Sequence, residues 1–519
     1  MKGRETLLAL LGVILLGVGA LLVWRSHGPM RDFVLDDGCY SPVRILEPRA
    51  PQIGSAVVYH GLSANRRMMQ TFGQWLAALG LRVYLVDLPG HGDSATPFSL
   101  AHADQCGAAA FNSLVSRGMI VPERTIVAGH SMGGAIAIRL ADRIPAAATI
   151  AIAPAPMASP EHSLGEFVPF EMPRRMPVNL LILRGAWDLP KFAGGDTALI
   201  RAAGGERVQP EDFRQRRAAK LVVVPRATHT SILYDPRQRS WSLDWARNAL
   251  NVASPRNIEF PGAPVLGGLL GVAGMLLLFP AAASFLTAML KAAPEKTARS
   301  AKEGDRISLG LGTMLLWWAL ASLISVVFLK LWGPFTVLSS YGGPYLASFY
   351  LVAGVILLAR LSFSAKLAAG LKLRPVVMAC ALGLATLLAF SAWLNWQLLG
   401  ASVDGARRQQ FIPALLFFLP YFLAEEWALG PLEELHGWRR LAVFFAMRFT
   451  QWLALIGALF ILRSEDILIL LLALYLALFS ALQRWGSDAV RRRTGSLAAA
   501  AVFGAILAAW FVAAVFPLA

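Results

Sequence analysis

Between Thr6 and Trp24 the chain carries no charged residue. At a rise of about 1.5 Å per residue, a helix of that length crosses a hydrocarbon layer about 30 Å thick. Eight more apolar runs follow, near 264–290, 308–331, 344–360, 376–399, 411–427, 441–462, 467–483 and 496–517. In lipid every backbone N–H and C=O must be satisfied within the chain, so such runs fold as membrane helices, and nine spans are expected. A wholly soluble chain is thereby excluded. Lys2 and Arg4 precede the first run, and Leu21, Leu22, Val23 and Trp24 lead from it into Arg25 without a small-x-small pattern. It therefore reads as a retained anchor and not as a cleaved signal peptide.

A formal charge of +16 would suit a nucleic-acid partner, but much of the basic charge lies in short loops between the apolar runs. Residues 291–306 hold Lys291, Lys296, Arg299, Lys302 and Arg306, and residues 361–375 hold Lys366, Lys372 and Arg374. Later come Arg439 and Arg440, then Arg484 and Arg491 to Arg493. The alternate loops are poorer: 332–343 has no Lys or Arg, 400–410 has Arg407 and Arg408, and 463–466 has only Arg463. With the amino terminus in the cytoplasm, every rich loop falls on that side. The partner is then the lipid bilayer, no nucleic acid is expected, and the polar stretch 25–262 is extracytoplasmic.

That stretch is long enough for one globular domain with a sizeable core. Short β-branched runs at Ala56–His60, Arg82–Asp87, Thr125–Ala128, Ala148–Ala153, Leu180–Arg184 and Leu221–Val224 alternate with helical patterns. The helices are expected at about 66–79, 102–117, 132–143, 196–218 and 240–252. Such alternation predicts a mostly parallel sheet flanked by helices. Cys39 and Cys106 share this domain and can pair in an oxidising compartment, whereas Cys380 lies in a membrane run.

Gly129-His130-Ser131-Met132-Gly133 fits the G-x-S-x-G nucleophile elbow, in which a serine sits on a tight strand-to-helix turn. With 45 glycines in the chain the pattern alone says little. Its context says more, because Thr125–Ala128 enters as a strand and Ala135–Ile138 continues as a helix. A serine hydroxyl needs a base within hydrogen-bond reach, and the base needs an orienting carboxylate. Asp188 follows the strand Leu180–Leu183, and His229 follows the strand Leu221–Val224. Both occupy loops past strand ends, where open α/β sheets place functional groups.

On these residues the chain resembles the α/β-hydrolase superfamily, its monoacylglycerol lipase and esterase-like members in particular. The likeness rests on Val57-Val58-Tyr59-His60-Gly61, on Asp87-Leu88-Pro89-Gly90-His91-Gly92-Asp93-Ser94, on the elbow at 129–134, and on Asp188 and His229. It implies a catalytic triad of Ser131, Asp188 and His229, an oxyanion hole formed by the amides of Leu62 and Met132, and loop-shaping roles for His91 and His130. It also implies a lid between the sixth and seventh strands, for which only Pro154–Pro177 is available. No cofactor or metal is required.

The expected organisation is an anchor at 1–24, an α/β-hydrolase domain at 25–262, and an all-α membrane domain of about eight helices at 263–519. In the last of these, Glu425 and Glu426 close one span, and Arg448 in the next is expected to pair with one of them. A metalloprotease reading of the two glutamates fails for want of ligands, since His436 is the only histidine after His229. The expected function is hydrolysis of an ester or acyl substrate, with lipids among the candidates, by a membrane-anchored extracytoplasmic serine hydrolase. Two alternatives stay open: a transporter or lipid-handling protein with an accessory hydrolase domain, and an acyltransferase using the same triad.

Overall fold

The computed structural model describes residues 2–48, 50–140, 144–154, 172–188, 190–252, 263–293, 311–360, 372–397, 399–429, 438–461 and 467–519. They divide into two compact units. One holds 15–272 with 392–402 and 517–519, and the other holds 1–14 with 273–391 and 403–516.

The first unit is built on an eight-stranded sheet. Its strands are β1 (Met30–Val34), β2 (Pro42–Leu46), β3 (Gly54–Tyr59), β4 (Leu81–Val86), β5 (Thr125–His130), β6 (Ala148–Ile152), β7 (Leu180–Gly185) and β8 (Ala219–Val224). They lie in the order β1-β2-β4-β3-β5-β6-β7-β8. All neighbours from β4 to β8 run parallel, while β1 with β2 and β2 with β4 are antiparallel. Every residue of β3, β5 and β6 is buried, as crossover helices on both faces require.

The crossovers are α2 (Gln70–Leu79), α3 (Leu100–Ser116), α4 (Met132–Leu140), α5 (Pro190–Ala202) and α6 (Pro210–Arg214), and α7 (Pro236–Ala249) follows the last strand. Phe72, Trp75 and Leu76 of α2 and Leu243 and Trp245 of α7 pack with Val58, Val83 and Ile150 of the sheet. Each such large apolar side chain contributes about 1.5–3 kcal/mol on burial.

Two expectations are corrected here. The strands β1 and β2 escape a search for apolar runs, because β1 is a largely exposed edge and Arg44 interrupts β2. The single helix expected over 196–218 is two, since Gly204 and Gly205, both at φ +86°, end the first. A disulfide joins Cys39 to Cys106, whose Cα atoms are 5.8 Å apart.

Eight described helices are long and apolar enough to cross a membrane, consistent with a multi-pass membrane protein. They include α1 (Lys2–Ser26), α8 (Pro264–Met289), α9 (Leu311–Trp332), α10 (Gly343–Arg360), α11 (Leu373–Gln397), α12 (Arg408–Leu429), α13 (Trp438–Ile461) and α15 (Leu497–Val515). The run expected at 467–483 lies in α14 (Ile467–Thr494), parts of which fall outside the described side chains. Because α14 continues to Thr494, Arg484 is a helix residue and not the loop residue expected. It is buried against Glu426 at 2.6 Å, and Arg448 meets Glu425 at 2.9 Å. Arg407 is likewise no free loop charge, for its guanidinium donates to the carbonyls of Ala513 and Phe516, both at 2.9 Å, at the end of α15.

Candidate active site

Strand β5 delivers Ser131 into a turn at φ +54°, a region that side chains rarely adopt, and α4 begins at the next residue. Small neighbours make the turn possible. A methyl group added at Gly129 would overlap the Gly133 carbonyl, and one added at Gly133 would overlap the backbone of Tyr59. The serine is held rigidly, its N–H donating to Ile152 O at 2.9 Å.

Two further strand ends bring in the partners. Past β7, Ala186 N donates to Val224 O and Trp187 N to Ala227 O, both at 2.9 Å, so the turns after β7 and β8 are tied together. Gly185 lets them nest, because any side chain there would strike Ala227 O. Asp188 and His229 sit on these two turns. His229 Nδ1 donates to Asp188 Oδ1 at 3.0 Å and Oδ2 at 3.1 Å, which leaves Nε2 to accept from the Ser131 hydroxyl at 2.9 Å. The Asp188 side chain is 1% exposed and that of His229 is 20% exposed, so the carboxylate is shielded while the imidazole borders solvent. All three residues expected from the sequence therefore meet in one hydrogen-bonded line.

The loop after β3 lies against the serine, and a methyl group on Gly61 would come within 3.0 Å of Ser131 Cβ. Gly61 O accepts from Ala64 N at 3.1 Å, closing a turn whose inner residues are Leu62 and Ser63, the latter at φ +57°. The Leu62 N–H has no acceptor among the described residues. Met132 is the first residue of α4, where a helix leaves its N–H groups without partners. Both expected oxyanion donors thus border the serine.

Two histidines of the motif stretches are bolts for this loop. His60 Nδ1 donates to Gly61 O at 2.8 Å and its Nε2 accepts from Leu88 N at 3.0 Å. His91 Nδ1 donates to Pro89 O at 2.7 Å and its Nε2 accepts from Ser63 N at 3.1 Å. His130 donates from Nε2 to the His229 carbonyl at 2.8 Å. Burial, reinforced by the neighbouring His229, pushes the His130 imidazole down to about 3, so it stays neutral and braces the His229 backbone.

Sequence reasoning missed Arg66. Its guanidinium is buried between Asp87 and Asp93, and Asp87 Oδ1 also accepts its backbone N–H at 2.7 Å. The motif aspartate therefore anchors the exit of the Leu62 turn. Asp196 of α5 was also missed. Burial pushes its carboxyl up to about 7 despite Arg184 at 3.5 Å, and the charge of Asp188 adds to that rise. The expected lid segment falls largely on 155–171, outside the described residues. A cavity of about 220 Å³ lined by Ser26, Pro29, Trp75, Arg239 and Pro264 includes none of the three aligned residues.

The sequence model of the alpha/beta hydrolase family matches residues 57–263. No curated protein matches the chain. Among solved structures, TT1662 from Thermus thermophilus is 19% identical at a TM-score of 0.33, covering 44% of this chain and 100% of its own. An esterase/lipase from an uncultured bacterium is 15% identical at a TM-score of 0.33, covering 48% and 98%. XC6422 from Xanthomonas campestris, described as a serine hydrolase without a lid, is 18% identical at a TM-score of 0.32, covering 44% and 99%. Sheet order and family match agree that the domain has the α/β-hydrolase fold.

Proposed function

We propose that this chain is a membrane-anchored, extracytoplasmic serine hydrolase that cleaves an ester or acyl substrate. The observation that carries the reading is the line from Ser131 Oγ through His229 to Asp188, set on a strained elbow that α4 follows directly. In the reaction, Ser131 Oγ attacks the substrate carbonyl while His229 Nε2 takes the hydroxyl proton. Asp188 orients the imidazole and stabilises its cationic form. The oxyanion that forms is met by Leu62 N–H and Met132 N–H, and each donor of this kind is worth about 3 kcal/mol. His229 then gives its proton to the leaving oxygen, and water repeats the sequence to free the acid.

An outer location is supported by the loop charges and by the Cys39–Cys106 bond, which persists in oxidising compartments. The substrate is an acyl ester presented at the outer membrane surface, since the domain is tethered at both ends by apolar helices, α1 and α8.

Ser131→Ala should lower turnover of a long-chain ester by at least about 10⁴-fold and abolish labelling by a fluorophosphonate, with unchanged expression. Substantial residual turnover would remove the assignment. In the wild type, preference for short soluble esters over mono-acyl lipids in nanodiscs would leave the hydrolase but exclude the lipid substrate. For the location, protein taken from intact cells without reductant should show Cys39 and Cys106 unreactive to maleimide on denaturation, and both reactive after reduction. Two free thiols without reductant would place the domain in the cytoplasm.

A further inference from the structure

Two segments far along the chain belong to the same compact unit as the hydrolase sheet: residues 392–402 and 517–519. Both bind the loops that hold the Leu62 amide. Gly400 N donates to Asn65 Oδ1 at 3.0 Å, and Asn65 Nδ2 donates back to Gly400 O at 3.3 Å. The same Oδ1 accepts from Arg67 N at 3.1 Å, so the buried Asn65 side chain joins the exit of the Leu62 turn to Gly400. Three residues earlier, Gln397 Oε1 accepts from Gln70 Nε2 at 3.0 Å, and Gln397 Nε2 donates to Thr71 Oγ1 at 3.0 Å, gripping the first residues of α2. The segment that presents these groups is itself braced, with Asn395 Oδ1 accepting from Ala401 N at 2.7 Å. Leu518 closes the neighbouring loop: its N–H donates to Gly90 O at 2.9 Å and its carbonyl accepts from Phe98 N at 2.7 Å. That loop carries His91, the acceptor for Ser63 N–H.

We infer that Asn395, Gln397 and Gly400, through Asn65, are positioning residues for the oxyanion hole, with Leu518 supporting the His91 side of the same turn. This rests on the reading of Ser131 as nucleophile and Leu62 as oxyanion donor. The physical reason is the turn itself. Ser63 holds a left-handed conformation that a non-glycine residue keeps only when its surroundings impose it. The Leu62 N–H must point at a charge that exists only in the transition state, so a small rotation of the turn costs rate without costing substrate binding. Asp87, through Arg66, and His91 constrain the turn from within the hydrolase loops, whereas Asn65 is constrained by a residue 335 positions away. Gly400 must be a glycine for this grip, since a methyl group there would overlap the Asn65 amide.

The test uses the full-length protein in nanodiscs, with fluorophosphonate titration to count competent serines and a soluble ester to measure turnover per labelled serine. Asn65→Ala and Gly400→Ala should label to the wild-type extent at saturation. Their kcat per labelled serine should fall about 10- to 100-fold while KM moves less than about threefold. The double variant should be no worse than Asn65→Ala alone, because removing the Asn65 side chain makes room for the new methyl group. A purely structural role would lower the number of labelled serines and leave kcat per labelled serine unchanged, and that result overturns the proposal. So would additive losses in the double variant. Should either single variant fail to accumulate, Gln397→Ala, which leaves the Asn65–Gly400 pair in place, should still lower kcat per labelled serine about threefold, and an unchanged value would count against the proposal. Failure of the underlying reading looks different: wild-type turnover would then be independent of Ser131.

Discussion

Each of the two units buries arginine among carboxylates, and the two solve the problem differently. In the hydrolase unit, Arg66 is bound by Asp87, Asp93 and Asp32, whose side chains are 0%, 32% and 42% exposed, so the network leads from the core to water. In the helical unit, Arg448 and Arg484 meet Glu425 and Glu426, both 0% exposed, and Glu426 also meets Arg491 at 3.1 Å. The central four are almost fully buried, and with Asp488, which meets Arg484 at 2.7 Å, three arginines balance three carboxylates. Arg448 is further surrounded by the rings of Tyr350, Tyr421, Phe422 and Phe444. Where water borders a domain, an ion network can be graded outward and its outer members rehydrate when a partner is lost. Among apolar helices the charges must balance locally, because the surroundings offer no other partner.

The largest effect should come from breaking the closed network. Glu425→Ala leaves Arg448 without its carboxylate and should cost about 3–5 kcal/mol, read as a collapse in the amount of monodisperse protein recovered in detergent. Exchanging the pair, Glu425→Arg with Arg448→Glu, should restore part of it. Equal loss in single and exchanged variants would mean that the contact does not matter. Breaking the open network should cost less. Arg66→Ala strands Asp87, which still accepts the N–H groups of residue 66 and Asp93, and about 2–3 kcal/mol is expected from thermal unfolding. A loss as large as that of Glu425→Ala would erase the distinction between the units.

The smallest effect sharpens the comparison through pH. Asp196 is buried with one oxygen unpartnered among the described residues, and burial raises its carboxyl to about 7. Its folded value lies above the unfolded one, near 3.8, so the folded state holds a proton that the unfolded state has released between these values. The stability from that proton is present below pH 4 and is lost as pH rises towards 7. Asp196→Asn should therefore gain Tm relative to wild type between pH 5 and about 7 and level off above it. A constant difference across that range would show that Asp196 ionises normally.

What could be read from the sequence follows the same physics. Strands β3 to β8 were legible because each carries a short run of aliphatic residues, many of them β-branched, and Ser131, Asp188 and His229 because each stands just past such a strand. The edge strand β1 and its neighbour β2 carry Asp32 and Arg44, which pair across the two strands and hide the strand pattern. Arg484 was misplaced because the apolar run stops where the helix does not: its partners, and not lipid, cover the last turns of α14. Nothing local marks Asn65 or Gly400, since an isolated asparagine in a turn and a glycine after a helix have ordinary uses, and their pairing exists only in three dimensions.

The unit that carries Ser131 is assembled from stretches 15–272, 392–402 and 517–519, and this gives it a history as well as a shape. A ribosome delivers β8 long before Gly400 or Leu518 has been made. Until then the Leu62 turn lacks two of the grips described above, and on our proposal the newborn domain has its nucleophile and base but a loosely aimed oxyanion hole. Competence then arrives only once both distant segments have been made, and chains stalled before residue 392 would show little esterase activity. On that proposal a discontinuous unit of this kind ties its activity to the synthesis of its distant segments.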